Sequence, residues 1–261
     1  MKPHSAVVML RPGRHYRREL FHAGLRRNGY TIVERPLSRP NVGDVAVLWN
    51  RFERDEKVAR LYEQNGATVL IAENGYIGQD EQGQGLFALA RSHHNGAGAW
   101  PVGGPERWEQ MHVELAPWRK KGEFLLVLPQ RGFGPPGIAM PNMWGHRIVP
   151  RLAAITTRPI RVRPHPGRDK TEPYRDFVGA WATVTWGSGA AIKAIAAGYP
   201  VFHEMPDWIG APAARRVGKD TTVIENPFLG ERLPMFQRLA WAQWSPVEIE
   251  NGEAFAWLLS K

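Results

Sequence analysis

The chain has no cysteine, which excludes a disulfide framework, a thiolate nucleophile and any zinc site built on sulfur. It also lacks an apolar run of bilayer-spanning length. Met1-Lys2-Pro3-His4 leads straight into a short strand-like segment and not into the apolar core of a signal peptide. A soluble, cytoplasmic protein is expected. Signatures of several common chemistries are missing as well. There is no Gly-Lys-Ser/Thr, hence no P-loop, and no Gly-x-Gly-x-x-Gly after the first strand, where a dinucleotide oxidoreductase would carry it. A serine hydrolase elbow wants glycine two residues before Ser188, and Trp186 stands there. No Asp-x-Asp pair offers ligands for a metal-held diphosphate. His93 and His94 are adjacent, so they point apart, and no carboxylate lies at ligand spacing. Neither a metal nor a resident cofactor is expected.

What the chain has in excess is positive charge. Its formal net charge is +9 and its isoelectric point about 10.1, and arginine heavily outnumbers lysine. The planar guanidinium suits phosphate, so the bias points to a polyanionic partner, nucleic acid or an anionic membrane surface. The placement is uneven. Arg11, Arg14, Arg17, Arg18, Arg26, Arg27, Arg51 and Arg54 crowd the first sixty positions, and a second basic stretch runs from Arg158 to Arg175.

Strand and helix signals alternate along the 261 residues, the pattern of an α/β chain with parallel sheets and helical crossovers. Strands are expected at 6–10, 31–33, 45–48 and 68–72, with helices at 16–28 and 53–63. Residues 74–104 are glycine-rich and polar and read as a functional loop with only partial structure. A helix is expected over 106–118, and Arg119-Lys120-Lys121-Gly122 has the composition of a hinge. Two Rossmann-like domains facing a cleft follow, 1–118 and 119–261, with the final helix crossing back. The tail, 239–244 and 253–259, reads as helix whose tryptophans serve the core in preference to stacking on bases.

In the second half, Thr183-Val184-Thr185-Trp186-Gly187-Ser188-Gly189 runs a β-branched strand into a small-residue turn that opens an Ala-rich helix. Gly187 and Gly189 leave the backbone bare, Ser188 offers a hydroxyl, and the helix start offers free N–H groups and a positive dipole end, the build of a phosphate site. Just upstream, Arg163-Pro164-His165-Pro166 ends another strand. Ligands of open parallel sheets sit at the carboxyl ends of the strands. The candidates there are Gln130, Arg131, Arg163, His165, Gly187, Ser188 and Gly189 for an anionic donor, and Arg11, Arg14, Asn50, Arg51 and Arg54 for an acceptor. Glu73 is the lone carboxylate at a strand end in the first half and the candidate base, with Glu204 next.

Arg163-Pro164-His165-Pro166, Trp186-Gly187-Ser188-Gly189 and Lys193-Ala194-Ile195-Ala196-Ala197-Gly198-Tyr199-Pro200-Val201 together resemble the paired His-Pro and Ser motifs of GT-B glycosyltransferases, nearest in pattern to capsule Kdo transferases and bacterial sialyltransferases. The resemblance implies that His165 and Ser188 hold the phosphate of a nucleotide-sugar co-substrate and that the N-terminal domain binds the acceptor and supplies the base, Glu73. Where those families often show two serines, this chain has Ser188-Gly189, one hydroxyl fewer. Size, basicity and an arginine-rich N-terminal half make the chain similar also to phage-encoded sugar transferases that decorate modified bases in DNA. The expected function is a metal-independent glycosyltransferase acting on a hydroxylated base in double-stranded DNA, in a phage-infected host cytoplasm if phage-encoded. The alternatives are a capsule or lipopolysaccharide sugar transferase and a non-catalytic DNA-binding protein.

Overall fold

The computed structural model describes residues 3–167, 171–218 and 222–260. Contacts divide the chain into two compact units. The first comprises Met1–His94, Gly98–Met111 and Arg238–Lys261, the second Asn95–Ala97 and His112–Gln237. The main segment of the second unit thus begins at His112, upstream of the basic Arg119–Gly122 stretch, and the chain returns to the first unit at Arg238.

The first unit contains β1 (Ser5–Val8), α1 (Arg18–Arg27), β2 (Thr31–Val33), β3 (Val45–Leu48), α2 (Arg54–Gln64), β4 (Thr68–Gln79), β5 (Gly85–Arg91) and α3 (Glu106–Glu109). The C-terminal segment adds β11 (Gln243–Trp244), α8 (Pro246–Glu250) and α9 (Glu253–Leu259). The sheet order is β11-β5-β4-β3-β1-β2, with β2, β1, β3 and β4 parallel and β5 and β11 antiparallel. Right-handed crossovers that run outward in opposite directions from β1 and β3 put their helices on opposite faces. On one face, Val58, Ala59 and Tyr62 of α2 pack with Val7, Ala46, Leu48, Val69 and Ile71. On the other, Phe21 of α1 meets Phe87 and Phe255 edge to face. Gly24 permits that approach: a Cβ there would lie 1.9 Å from the Ile249 carbonyl oxygen.

The second unit contains β6 (Phe124–Leu128), α4 (Trp144–Ala153), β7 (Ile160–Val162), α5 (Tyr174–Phe177), β8 (Ala180–Thr185), α6 (Gly189–Ala196), β9 (Val201–His203) and β10 (Arg215–Arg216), and α7 (Leu233–Ala240) leads out of it. Its sheet, β10-β9-β8-β6-β7, is parallel throughout. A parallel sheet is covered on both faces, and β6 and β8 are accordingly buried at every residue. Leu125, Val127, Ala182, Val184 and Phe202 meet Trp144, Ile148 and Leu152 of α4 in its core.

Three sequence expectations are corrected. The first part of residues 74–104 is more regular than expected: β4 runs on to Gln79 and pairs with β5 in a long antiparallel hairpin, while 92–104 hold only an isolated bridge at Ala99. The hairpin turn is closed by the Asp80 carboxylate, which accepts from the Gln82 and Gln84 N–H groups at 3.0 and 2.7 Å. The glycines of this hairpin, Gly75, Gly78, Gly83 and Gly85, are strand and turn residues, and Tyr76, Ile77, Phe87 and Leu89 of the same two strands are buried. The helix expected over 106–118 stops after Glu109, because His112 takes a left-handed φ of 49° that no helix continues through. In the tail, helix ends at Ala240, and Gln243–Trp244 is a strand on the free edge of β5. There tertiary pairing overrides local helical spacing. Ser245 then starts α8 with a full capping box, its hydroxyl accepting from the Glu248 N–H while Glu248 accepts from the Ser245 N–H.

Candidate active site

Each sheet reverses its direction of growth beside its first strand, between β1 and β3 in one unit and between β6 and β8 in the other. Loops diverge at such points and leave a crevice at the strand ends. Most residues singled out from sequence sit there.

In the second unit Ser188 is the N-cap of α6. Its Oγ accepts the Ala190 N–H at 3.2 Å, its own N–H donates to Thr185 Oγ1 at 3.0 Å, and that hydroxyl donates to the Leu128 carbonyl at 3.0 Å. Three consecutive bonds therefore tie the turn to β6. They leave the helix start with the orphan N–H donors and positive dipole end on which an anion can rest.

His165, exposed in the turn after β7, accepts the Gly167 N–H on Nδ1 at 3.0 Å. The neutral ring must then carry its proton on Nε2, where it is a donor. Desolvation, then Arg131, then Arg163 hold its pKa below the ordinary histidine value, so Arg131, after β6, and Arg163, after β7, both act on the His165 ring. Arg131 is exposed and lies over the Phe133 ring, 4.8 Å from its centroid. Arg163 is anchored: Nε donates to Asp176 at 2.5 Å, and Nη2 donates to the Thr171 carbonyl and hydroxyl, both at 2.9 Å. It contributes a fixed positive charge beside His165. Of the basic stretch 158–175, Arg168 and Lys170 lie outside the described residues.

Expectations for the donor site and for the reserve base are corrected. The Gly187 backbone is not bare: its N–H donates to Gln130 Oε1 and its carbonyl accepts from Gln130 Nε2, both at 3.0 Å. The Gln130 carboxamide is therefore a brace between the β6 and β8 loops, its polar atoms already paired. Gly187 is also tightly packed: a Cβ would lie 2.7 Å from Met205 Sδ, which would have to shift. Glu204, the reserve base, is occupied too, accepting from Trp144 Nε1 at 2.5 Å and Arg151 Nη1 at 2.8 Å. The Gly-x-Gly-x-x-Gly spacing does occur after β6, at Gly132-Phe133-Gly134-Pro135-Pro136-Gly137. There it builds a turn before α4 and does not open a helix as a dinucleotide fingerprint does.

In the first unit Arg11 and Arg14 are exposed in the loop after β1, and Arg54 is exposed at the start of α2. Burial raises the Asp55 carboxyl pKa against the opposing pull of Arg54 and Arg11, so those two cations flank one acid. Trp49, the residue after β3, meets His15, Tyr16 and Phe87 edge to face at 4.8–6.3 Å, and Asn50 beside it is half-buried. Arg51 is not an acceptor contact. It is 4% exposed, donates to both carboxylate oxygens of Glu56 and of Glu63, and reaches the Ser92 carbonyl at 2.8 Å. Two carboxylates keep it charged against the burial that would lower its pKa, and it locks β3 to α2.

Glu73 lies within β4, opposite Ala88 of β5, and not in a loop after a strand. Its carboxylate accepts from the Tyr76 hydroxyl. The sequence gives no sign of Gln243, which bonds the same segment from 167 residues away. No local signal marks such a partner. Among the described residues no three His, Asp or Glu side chains converge as metal ligands, and no helix is long and apolar enough to cross a membrane.

No family model matches the chain, and no curated protein matches it. Among the solved structures it does match are two from Thermosulfurimonas dismutans. KpsC, β-Kdo 2,4 transferase, has a TM-score of 0.55 and 13% identity over 90% of this chain and 90% of its own. KpsC, β-Kdo 2,7 transferase, has a TM-score of 0.55 and 13% identity over 92% of this chain and 89% of its own. At that identity the likeness is one of fold, and the chain has the α/β, GT-B-like fold of these transferases, with two Rossmann-like units.

Proposed function

We propose that the protein is a glycosyltransferase that moves a sugar from a nucleotide-sugar donor to a hydroxyl of a saccharide acceptor. The observations that carry the reading are that Arg131 and Arg163 lie near enough to His165 to act on its charge, and that Gln130, next to Arg131, is bonded to the Gly187 peptide just before the Ser188-capped start of α6, in a chain with the fold of two Kdo transferases. In this mechanism the acceptor hydroxyl gives its proton to Glu73 as its oxygen attacks the anomeric carbon. The bond from that carbon to the donor phosphate breaks, and the phosphate leaves with the electron pair. His165 Nε2–H, the Arg131 and Arg163 charges and the α6 N-terminus stabilise the developing negative charge. All of these are protein groups, so the step as written needs no metal.

The DNA acceptor expected from the arginine bias loses Arg51 to an internal ion-pair network and keeps Arg11, Arg14 and Arg54 as exposed cations. One assay decides between acceptors. Purified protein is incubated with a panel of nucleotide sugars and either acidic or neutral oligosaccharides or hydroxymethylated duplex DNA, and the products are weighed by mass spectrometry. A sugar-sized mass gain on an oligosaccharide, abolished by His165→Ala, is the expected result. A gain confined to DNA replaces the saccharide acceptor, and no gain with any pair overturns the transferase reading.

A further inference from the structure

We infer that Tyr76 and Gln243 are positioning residues that hold the Glu73 carboxylate in place for proton abstraction. The inference rests on Glu73 being the base of the proposed reaction. In a regular strand, side chains alternate faces, so residues three apart point to opposite sides of the sheet. Glu73 and Tyr76 are three apart in β4, and yet the Tyr76 hydroxyl donates to the Glu73 carboxylate. A register shift in the β4–β5 ladder between Asn74 and Gln79 makes that possible. Such an irregularity re-aims a side chain at the cost of unpaired backbone groups.

Gln243 supplies the missing partners. Its side-chain Oε1 accepts the Tyr76 N–H at 2.5 Å and the Ile77 N–H at 3.1 Å, and its Nε2 donates to the Ile77 carbonyl at 3.1 Å. The residue is 1% exposed, in a strand two residues long, so a polar side chain is placed here against the general cost of burying one. That cost is met by three hydrogen bonds to one distorted segment. Arg107 holds β11 in turn. Its guanidinium lies 3.9 Å from the Trp244 ring centroid, pairs with Glu248 at 2.7 Å and donates to the carbonyls of Ala240 and Gln243. The C-terminal segment thus has a job in the first unit beyond packing: through Gln243 it fixes the Tyr76 backbone, and through the Tyr76 hydroxyl it fixes the carboxylate. A base oriented by a further hydrogen-bonded group is a recurring catalytic arrangement.

The test uses the full-length chain, with the donor and acceptor that score in the transfer assay, and three variants: Tyr76→Phe, Gln243→Leu and Glu73→Gln. Tyr76→Phe and Gln243→Leu are expected to lower kcat roughly 10-fold or more while KM for the donor stays within about twofold. Combined with Glu73→Gln, neither is expected to lower the residual rate further, because both act through the same carboxylate. Backbone amide exchange over residues 74–79 should rise in Gln243→Leu and stay unchanged in Tyr76→Phe. Should Gln243→Leu fail to fold, Tyr76→Phe, which removes one hydroxyl, carries the test alone. An unchanged kcat in Tyr76→Phe, or losses that add in full to Glu73→Gln, overturns the inference while leaving Glu73 as the base. Full activity in Glu73→Gln removes the base itself, and the inference with it.

Discussion

The two reversal points have the same topology and opposite chemistry. In the second unit the crevice beside β6 and β8 is made of a capped helix start and one anchored cation, Arg163. Ser188 is held by bonds to Ala190 and Thr185, Arg163 by Asp176 and Thr171, and the Gly187 peptide by Gln130. In the first unit the region beside β1 and β3 is lined by loop side chains, with Trp49, Tyr16 and His15 in edge contact, and the candidate base stands on a distorted strand. The difference teaches where each function can be built. Holding an anion needs a field that does not move, which a helix start and a pinned guanidinium supply. Taking a proton needs one carboxylate in one rotamer, and a strand irregularity with a remote brace supplies that.

The comparison makes a division of labour that substitution can break. Glu73→Gln keeps shape and hydrogen bonding but cannot accept a proton, so turnover should fall by roughly 10² to 10⁴ with nucleotide affinity near normal. Calorimetric titration of nucleotide beside a turnover assay checks this. A Glu73→Gln protein with normal turnover would move proton transfer out of the first unit.

The next largest effect concerns stability of the second unit. His203 is 2% exposed, with Nδ1 donating to the Met205 carbonyl at 2.9 Å. Burial foremost pushes its pKa down to about 4. Its folded value lies below the unfolded value, so the unfolded chain binds the proton more readily. The stabilisation is therefore complete above about pH 6.5 and is lost as pH falls towards 4, on the order of 3 kcal/mol by that point. Denaturant melts of His203→Asn should show much of that acid sensitivity removed, and an unchanged pH dependence would place it on other groups.

For the anion site itself, His165→Ala and Ser188→Ala should each weaken nucleotide binding by roughly 10- to 100-fold, the range of hydrogen bonds to a charged group. Ser188→Ala should also lower stability by about 1 kcal/mol through the lost helix cap. If both contact one phosphate, the double variant loses less than the sum. Strict additivity would assign them to separate ligand groups.

What could be read from the sequence follows the same line between local and remote. The strand, turn and helix of 183–196 and the strand before His165 are short-range patterns, and the structure has β8, α6 and β7 there. The residues misread are those whose partners lie far along the chain. Arg51 looked like a surface cation because Glu63 is 12 residues away and Ser92 is 41. Gln130 looked like a ligand because its partner, Gly187, is 57 residues on. The β4–β5 hairpin was hidden by its glycines, and Gln243 by helical spacing in a segment that instead completes a sheet edge. Composition and period report what a residue prefers, and tertiary pairing decided these four.

The smallest effect concerns the exposed arginines that remain in the first unit after Arg51 is withdrawn. Arg11, Arg14 and Arg54 are exposed to an anionic partner, although Arg11 and Arg54 also flank Asp55, and solvent and salt screen exposed charges, so each is worth little alone. A duplex would reveal them through salt. If they neutralise backbone phosphates, log-log plots of affinity against salt should be steep, and each change to alanine should reduce the slope by about one unit. Short oligosaccharides lack that dense charge, so binding of a neutral one should be nearly flat in salt and indifferent to all three substitutions. Arg51→Ala, by contrast, should leave any salt slope alone and lower the melting temperature, because it removes the buried cation that Glu56 and Glu63 share and leaves Glu56 with only the exposed Arg60. Fluorescence anisotropy with labelled duplex and labelled oligosaccharide, run on the four variants, separates these outcomes. A slope that falls only with Arg51→Ala would return that residue to the surface and undo the correction on which the saccharide acceptor partly stands.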